Sequence, residues 1–185
     1  MRKIILFNLI TVDGYFEGPD ANINWHNVDQ EFNGFAIAQM KTADTLLFGR
    51  KTYELMAGYW PMEEAIKNDP VVAGLMNSFD KIVFSKTLEK AEWNNTKLIK
   101  DNVLEEIKKL KSVPGKDVLI LGSAELSSTL IKHDLIDELR LLINPVILGN
   151  GTPMFKNIQE KTDLQLLKTK VFGNGNVLVN YLIKA

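Results

Sequence analysis

Four short segments carry residue types that could do chemistry together: Asp13-Gly14, Gly49-Arg50-Lys51-Thr52, Ser85-Lys86-Thr87 and Gly122-Ser123-Ala124-Glu125. Each follows a stretch that reads as a β-strand, and in open α/β sheets ligands bind beyond the carboxyl ends of the strands. Gly49 and Gly122 let backbone approach a ligand closely. A helix starting at either point offers unpaired amides to a phosphate. Arg50, Lys51 and Lys86 add positive charge, and an arginine beside hydroxyls suits a phosphate monoester. The set fits a ligand with separated phosphates. Neither a G-x-G-x-x-G nor a G-x-x-x-x-G-K-[ST] segment exists in the chain, which argues against an ordinary dinucleotide-binding dehydrogenase and a P-loop enzyme.

Composition narrows the chemistry further. The chain has no cysteine, so thiolate nucleophiles, disulfides and cysteine metal sites are excluded. His26 and His133 stand alone, without the partners a metal site needs, and no metal is expected. Twenty-two basic and 23 acidic residues are dispersed to a net charge of -1, leaving no basic block for nucleic acid or an anionic membrane surface. No window approaches the roughly 20 apolar residues of a membrane span. Polar Asn8, Thr11 and Asp13 break the apolar amino-terminal run, which reads as a buried strand rather than a signal peptide. The expected partner is a small molecule, and the expected location cytoplasmic.

The elements that must position these segments follow from apolar periodicity. Ile4 to Ile10, Thr45 to Phe48, Lys81 to Ser85 and Val118 to Leu121 are short apolar runs, as expected of parallel strands covered on both faces. Between them lie helical patterns: Phe32, Phe35, Ala36 and Met40 after Asp29; a segment opening at Tyr53; a helix begun by Pro70; and Val103, Ile107 and Leu110 after Asn102. Asn102 with Glu105 three residues on has the form of a capping box. Gly122-Ser123 leads into a helix with Leu126, Leu130 and Ile131. Beyond Glu138 strands dominate: Leu139 to Ile143, then Leu164 to Phe172 and Val177 to Ile183 around the turn Gly173-Asn174-Gly175-Asn176, the last two reading as an antiparallel hairpin. At 185 residues the chain fits one α/β domain spanning 1–185, a mixed and mainly parallel sheet with helices on both faces.

Gly49-Arg50-Lys51-Thr52-Tyr53-Glu54 resembles the G-R-x-T-[WY]-E segment of dihydrofolate reductases, and Lys81 to Leu88 is similar to that family's strand followed by Ser-Arg, with Lys86 in place of arginine. Leu121 to Leu126, Leu135 to Leu139 and Pro145 to Phe155 resemble the reductase domain of riboflavin biosynthesis, which shares the three-layer dihydrofolate reductase-like fold. The resemblance implies NADPH as cofactor, with Arg50 and Ser85-Lys86 at the adenosine 2′-phosphate. It puts Thr52 and the turn Gly122-Ser123-Ala124-Glu125 along the pyrophosphate and nicotinamide, with Gly49, Lys51 and Leu121 also among the cofactor-binding residues. Asp13, with Gly14, would face the substrate, and the one proton that hydride transfer requires would come from Asp13, Glu31 or water. Glu31 and Phe35 have the spacing of the carboxylate and phenylalanine that hold a pterin, and Trp25 and Tyr53 are further substrate candidates. A homodimer is also implied.

Two departures matter. The usual Gly-Gly before the helix reads Gly122-Ser123, and the arginines that hold a ribose phosphate in the riboflavin enzyme are missing between Trp25 and Gly49, where Lys41 is the one basic residue besides His26. The fused zinc deaminase motif is absent as well. The expected activity is hydride transfer from NADPH to a carbonyl or imine carbon of a small heterocycle, resembling 5-amino-6-(5-phosphoribosylamino)uracil reduction. Dihydrofolate reduction and a non-catalytic nucleotide-binding module on the same fold are the alternatives.

Overall fold

The computed structural model describes residues 1–184. Its centre is an eight-stranded sheet. From one edge the strands run β5 (Thr96–Ile99), β4 (Asp80–Phe84), β3 (Ala43–Gly49), β6 (Asp117–Ile120), β1 (Ile4–Thr11), β7 (Glu138–Asn144), β10 (Val177–Ile183) and β9 (Leu164–Val171). All pairings from β5 to β7 are parallel, while β10 runs antiparallel to both neighbours. The mixed, mainly parallel sheet and the terminal hairpin are as the apolar pattern predicts.

β1 is buried on both faces, and its alternate residues feed two layers of core. Ile5 packs with Leu46, Phe48 and residues of the helices α1 (Gln30–Met40), α2 (Arg50–Ala57) and α4 (Pro70–Ser78). Ile4, Leu6 and Ile10 face the opposite way, toward α5 (Val103–Ser112) and α6 (Ala124–Ile131). A strand with no polar face is stable only inside such a sandwich of helices.

Asp29 caps α1 by accepting the Phe32 amide proton, and Asp69 caps α4 by accepting that of Val72. The capping box expected at Asn102 does not form. Asn102 is left-handed at φ +57°, its side chain makes no capping bond, and Glu105 is left in the first turn beside the helix dipole. Four elements escaped the periodicity: β5, the short α3 (Glu63–Asn68), and the two-stranded pair β2 (Tyr15–Glu17) with β8 (Thr152–Pro153). β2, β8 and α3 are too short for two repeats of their own period, and β5 has only two apolar residues, Leu98 and Ile99, which are adjacent and show no alternation. No helix is long and apolar enough to cross a membrane among the described residues.

Candidate active site

β6 is inserted between β3 and β1, so the strand after β3 in the sheet comes from much later in the chain. Two strand-to-helix turns therefore meet at the carboxyl edge: β3 into α2 at Gly49, and β6 into α6 at Gly122-Ser123. They are bonded to each other. The Gly49 amide donates to Ser123 Oγ at 2.6 Å, and that hydroxyl donates to Thr52 Oγ1 at 3.1 Å. Gly122 has φ +73°, and a Cβ there would come within 2.9 Å of Thr52 Cγ2 and Oγ1. A Cβ on Gly49 would meet Ser123 Oγ at the same distance. Both glycines are thus required by the close approach of the two turns, beyond any role toward a ligand.

Ser123 is itself left-handed, φ +65°, ψ +69°, a conformation costing roughly 1 kcal/mol in a residue with a Cβ. Its hydroxyl is occupied in bridging the turns, so it does not cap α6. No side chain caps α2 either. Two neighbouring helix starts without side-chain caps present first-turn amides and positive dipole ends at one place, an arrangement suited to a pyrophosphate.

Asn8 organises the same point, and the sequence reading missed this role. Buried on β1 beside β6, it accepts the Gly122 amide proton on Oδ1 at 2.6 Å, and its Nδ2 lies 3.0 Å from Met154 Sδ. The available signal was a lone asparagine inside an otherwise apolar strand. Such a group is retained in a core only with partners for its polar atoms.

Around the paired turns the basic residues stand in solvent. Arg50 is exposed and lies 3.3 Å from Glu54 one helical turn on, which offsets part of the unfavourable charge at the start of α2. Lys51 and Lys86 are exposed. Ser85, just past β4, accepts amide protons from Thr87 and Leu88 at 3.2 and 2.9 Å, shaping the loop that carries Lys86. Glu125 points outward to Lys156 at 3.3 Å, whereas Ala124 is buried and Leu121 half-buried in the core.

The carboxylates expected to serve a substrate are separately engaged. Asp13, just past β1, accepts from Thr11 Oγ1 at 2.6 Å, from the Gly149 amide at 2.8 Å and from the Leu148 amide at 3.3 Å. The Thr11 hydroxyl and then these amides hold its carboxyl below the ordinary range. Gly14, at φ +82°, turns the chain so that its carbonyl accepts the Met154 amide. Glu31 accepts the Gly173 amide at 3.0 Å and pairs with Lys170 at 2.8 Å, and these partners, the amide foremost, hold it low as well. At neutral pH both groups are anions that tie loops together.

Phe35 packs edge-on to Phe7 and Phe172, with centroids 6.1 and 5.5 Å away. Trp25 and His26 meet edge-on at 4.5 Å, and neither Trp25 Nε1 nor His26 Nε2 has a partner although both atoms are buried. Burial pushes the His26 imidazole down to about 4, so it is neutral. Their loop is pinned by Asn27, which donates its amide proton to Asn144 Oδ1 at 2.8 Å and accepts from Asn176 Nδ2 at 2.6 Å. Tyr53 is a correction. It is 4% exposed, its hydroxyl accepts the Trp93 amide proton at 3.1 Å, and its ring packs in a cluster with Phe48 and Trp93, so it braces α2 and does not face a substrate.

The fold and the paired turns define a dihydrofolate reductase-like α/β protein. The chain belongs to the RibD C-terminal domain family, whose model matches residues 2–178. An uncharacterized Bacillus subtilis protein, YyaP, is 38% identical over 180 residues, covering 97% of this chain and 94% of its own. The deaminase/5-amino-6-(5-phosphoribosylamino)uracil reductase of Thermotoga maritima superposes with a TM-score of 0.71 at 14% identity, over 99% of this chain and 57% of that one. Dihydrofolate reductase from Enterococcus faecalis, complexed with NADP(H), does so with 0.67 at 17%, over 99% and 97%. The two superpositions share this chain's fold.

Proposed function

We propose that the chain is an NADPH-dependent reductase acting on a carbonyl or imine carbon of a small, flat heterocycle without a ribose phosphate. The observation that carries this reading is the pair of side-chain-uncapped helix starts locked together by Gly49, Thr52 and Ser123 at the carboxyl edge of the sheet. The residues present fit the cofactor. Amides of the two helix starts would hold the pyrophosphate, while Arg50, with Lys86 on its Ser85-shaped loop, would supply charge for the 2′-phosphate. The bound nicotinamide supplies the hydride.

The chain's own contribution is positioning. The Gly122 turn, held from below by Asn8, sets one wall, and Trp25 and Phe35 offer flat apolar surface beside the neighbouring β1 and β7 ends. Asp13 and Glu31 are held as anions, which favours water over either carboxylate as the source of the one proton the reaction needs. The absence of arginine from Trp25 to Gly49 supports an unphosphorylated substrate, because a phosphate dianion needs fixed donors there.

The test is a titration of NADPH and NADH against the unmodified protein and Arg50→Ala. NADPH binds at least tenfold more tightly than NADH, and Arg50→Ala removes most of that margin, about 1.4 kcal/mol per factor of ten. Binding of neither nucleotide sinks the assignment and leaves a fold without its cofactor site.

A further inference from the structure

Three asparagines precede a glycine, Asn33, Asn150 and Asn174, and the last two stand in the same tripeptide, Gly-Asn-Gly, at 149–151 and 173–175. Glycine leaves the backbone nitrogen after the asparagine unshielded by a Cβ, so that nitrogen can approach the side-chain amide. Local sequence thus gives Asn150 and Asn174 the same reactivity, and the fold separates them. Asn174 is engaged on every side. Its Nδ2 donates to the Asn27 carbonyl at 3.0 Å, its Oδ1 accepts the Asn176 amide proton at 3.1 Å, and the Gly175 amide is spent on the Phe172 carbonyl at 3.0 Å. Asn33 lies inside α1, where each amide points to the carbonyl four residues back. Asn150 is different: it is exposed between β7 and β8, and the Gly151 amide donates to its Oδ1 at 2.8 Å. Cγ is one bond from that oxygen, so the nitrogen already stands against the carbonyl it would attack. The glycine is imposed by packing. Gly151 has φ +145°, and a Cβ there would run into the Glu17 carbonyl oxygen where β8 meets β2.

We infer that Asn150 is a self-modifying site, converting with water alone to aspartyl and isoaspartyl forms and so releasing the 145–151 segment from Asp13. Solvent base takes the Gly151 amide proton, the nitrogen bonds to Asn150 Cγ, and Nδ2 leaves as ammonia with a proton from solvent, closing a five-membered imide. Water then opens the imide. Attack at Cγ gives aspartate, whereas attack at the backbone carbonyl carbon reroutes the chain through Cβ and Cγ. Nothing is oxidised or reduced, and the sum is water consumed and ammonia released. Both products carry a new carboxylate one residue from Gly149, whose amide, with that of Leu148, donates to the Asp13 carboxylate at 2.8 and 3.3 Å. Asp13 is an anion, so the new charge repels it. The rerouted product also lengthens the backbone just before Gly151 and pulls on the neighbouring bond from Thr152 Oγ1 to Glu17, 2.7 Å long. An aged chain therefore keeps the paired turns of β3 and β6 and loses order at the Asp13 end of β1. The inference stands apart from the cofactor reading, because its test reads mass and amide exchange.

Peptide mapping by mass spectrometry of the unmodified protein, warmed at mildly alkaline pH, decides it. Asn150 passes through a species lighter by one ammonia and ends as the acid, on the order of tenfold or more faster than Asn174 or Asn33. In urea, where the fold is gone, Asn150 and Asn174 convert at equal rates because their neighbours are the same. Conversion of Asn174 as fast as Asn150 in the folded protein overturns the inference, as does an Asn150 that stays intact while folded or keeps its lead in urea. Hydrogen exchange reads the consequence. In the aged protein the Gly149 amide exchanges roughly tenfold faster or more, as expected when a local bond to Asp13 is lost. Asn150→Gln, which would need a six-membered ring to react, keeps its mass and its Gly149 protection through the same treatment. Unchanged Gly149 exchange in the aged protein, or an equal rise in Asn150→Gln, overturns the release from Asp13.

Discussion

Ser123 concentrates the demands on the candidate site in one residue. It holds a left-handed backbone that glycine would adopt without cost, yet its hydroxyl is the acceptor for Gly49 and the donor to Thr52. Removing the hydroxyl alone leaves the strain and a part-buried amide without its partner, a loss of about 1–2 kcal/mol. Ser123→Ala therefore lowers the urea midpoint, while Ser123→Gly recovers roughly 1 kcal/mol of that loss through the backbone. Both weaken NADPH binding. Equal stability of the two variants would show that the left-handed strain is not real. Asp13 makes a different case. Because its carboxylate is ionised and spent on Thr11, Leu148 and Gly149, Asp13→Asn keeps the shape of the pH profile of turnover while loosening the loop. Disappearance of one limb of that profile would restore Asp13 as the proton donor.

Among the elements, the loop joining the 3-10 turn Pro19–Ala21 to α1 has a stability that depends on pH in the acid range. His26 sits in it with its imidazole at about 4, against an ordinary 6.5, because burial opposes the charged form. In the unfolded chain it takes up a proton near 6.5, so between those values the unfolded state binds more protons and stability rises with pH. The contribution is fully present above about 6.5 and lost as pH falls toward 4, on the order of 3 kcal/mol by the size of the shift. His26→Gln flattens the unfolding free energy across that window; a variant with the same slope would mean His26 is solvated. This loop also shows where sequence reading stops. Apolar periods located the sheet and its main helices, and the strand-glycine-helix junctions at Gly49 and Gly122 were legible because glycine marks them. What Asn27, Asn144, Asn174 and Asn176 do was not, since asparagines at separate loops carry no pattern until the fold closes them on one another. Tyr53 was misread for the same reason: a motif position names a residue, whereas Trp93, forty residues on, decides which way its hydroxyl is spent.

At the scale of the molecule, the cofactor proposal and the sheet bear on a single unfolding transition. The helix starts that would hold the nucleotide lie at β3 and β6, in the middle of the sheet, and their strands join the helix-covered cores on its two faces. Leu46, Leu47 and Phe48 of β3 and Val118, Leu119 and Ile120 of β6 are fully buried, so neither strand can leave without opening both layers. A ligand bound to their turns then stabilises the whole sheet rather than a local loop. By mass action, NADPH at a hundred times its dissociation constant adds about 2.7 kcal/mol. For a chain of this length that raises the melting temperature by roughly 5–10 °C, at 2–4 °C per kcal/mol. The transition remains single, and NADH at the same concentration moves it by less. Calorimetry with a second, nucleotide-insensitive transition would show that the β7, β10 and β9 side of the sheet unfolds independently of the β3–β6 side, and that the site and the hairpin are separate cooperative units.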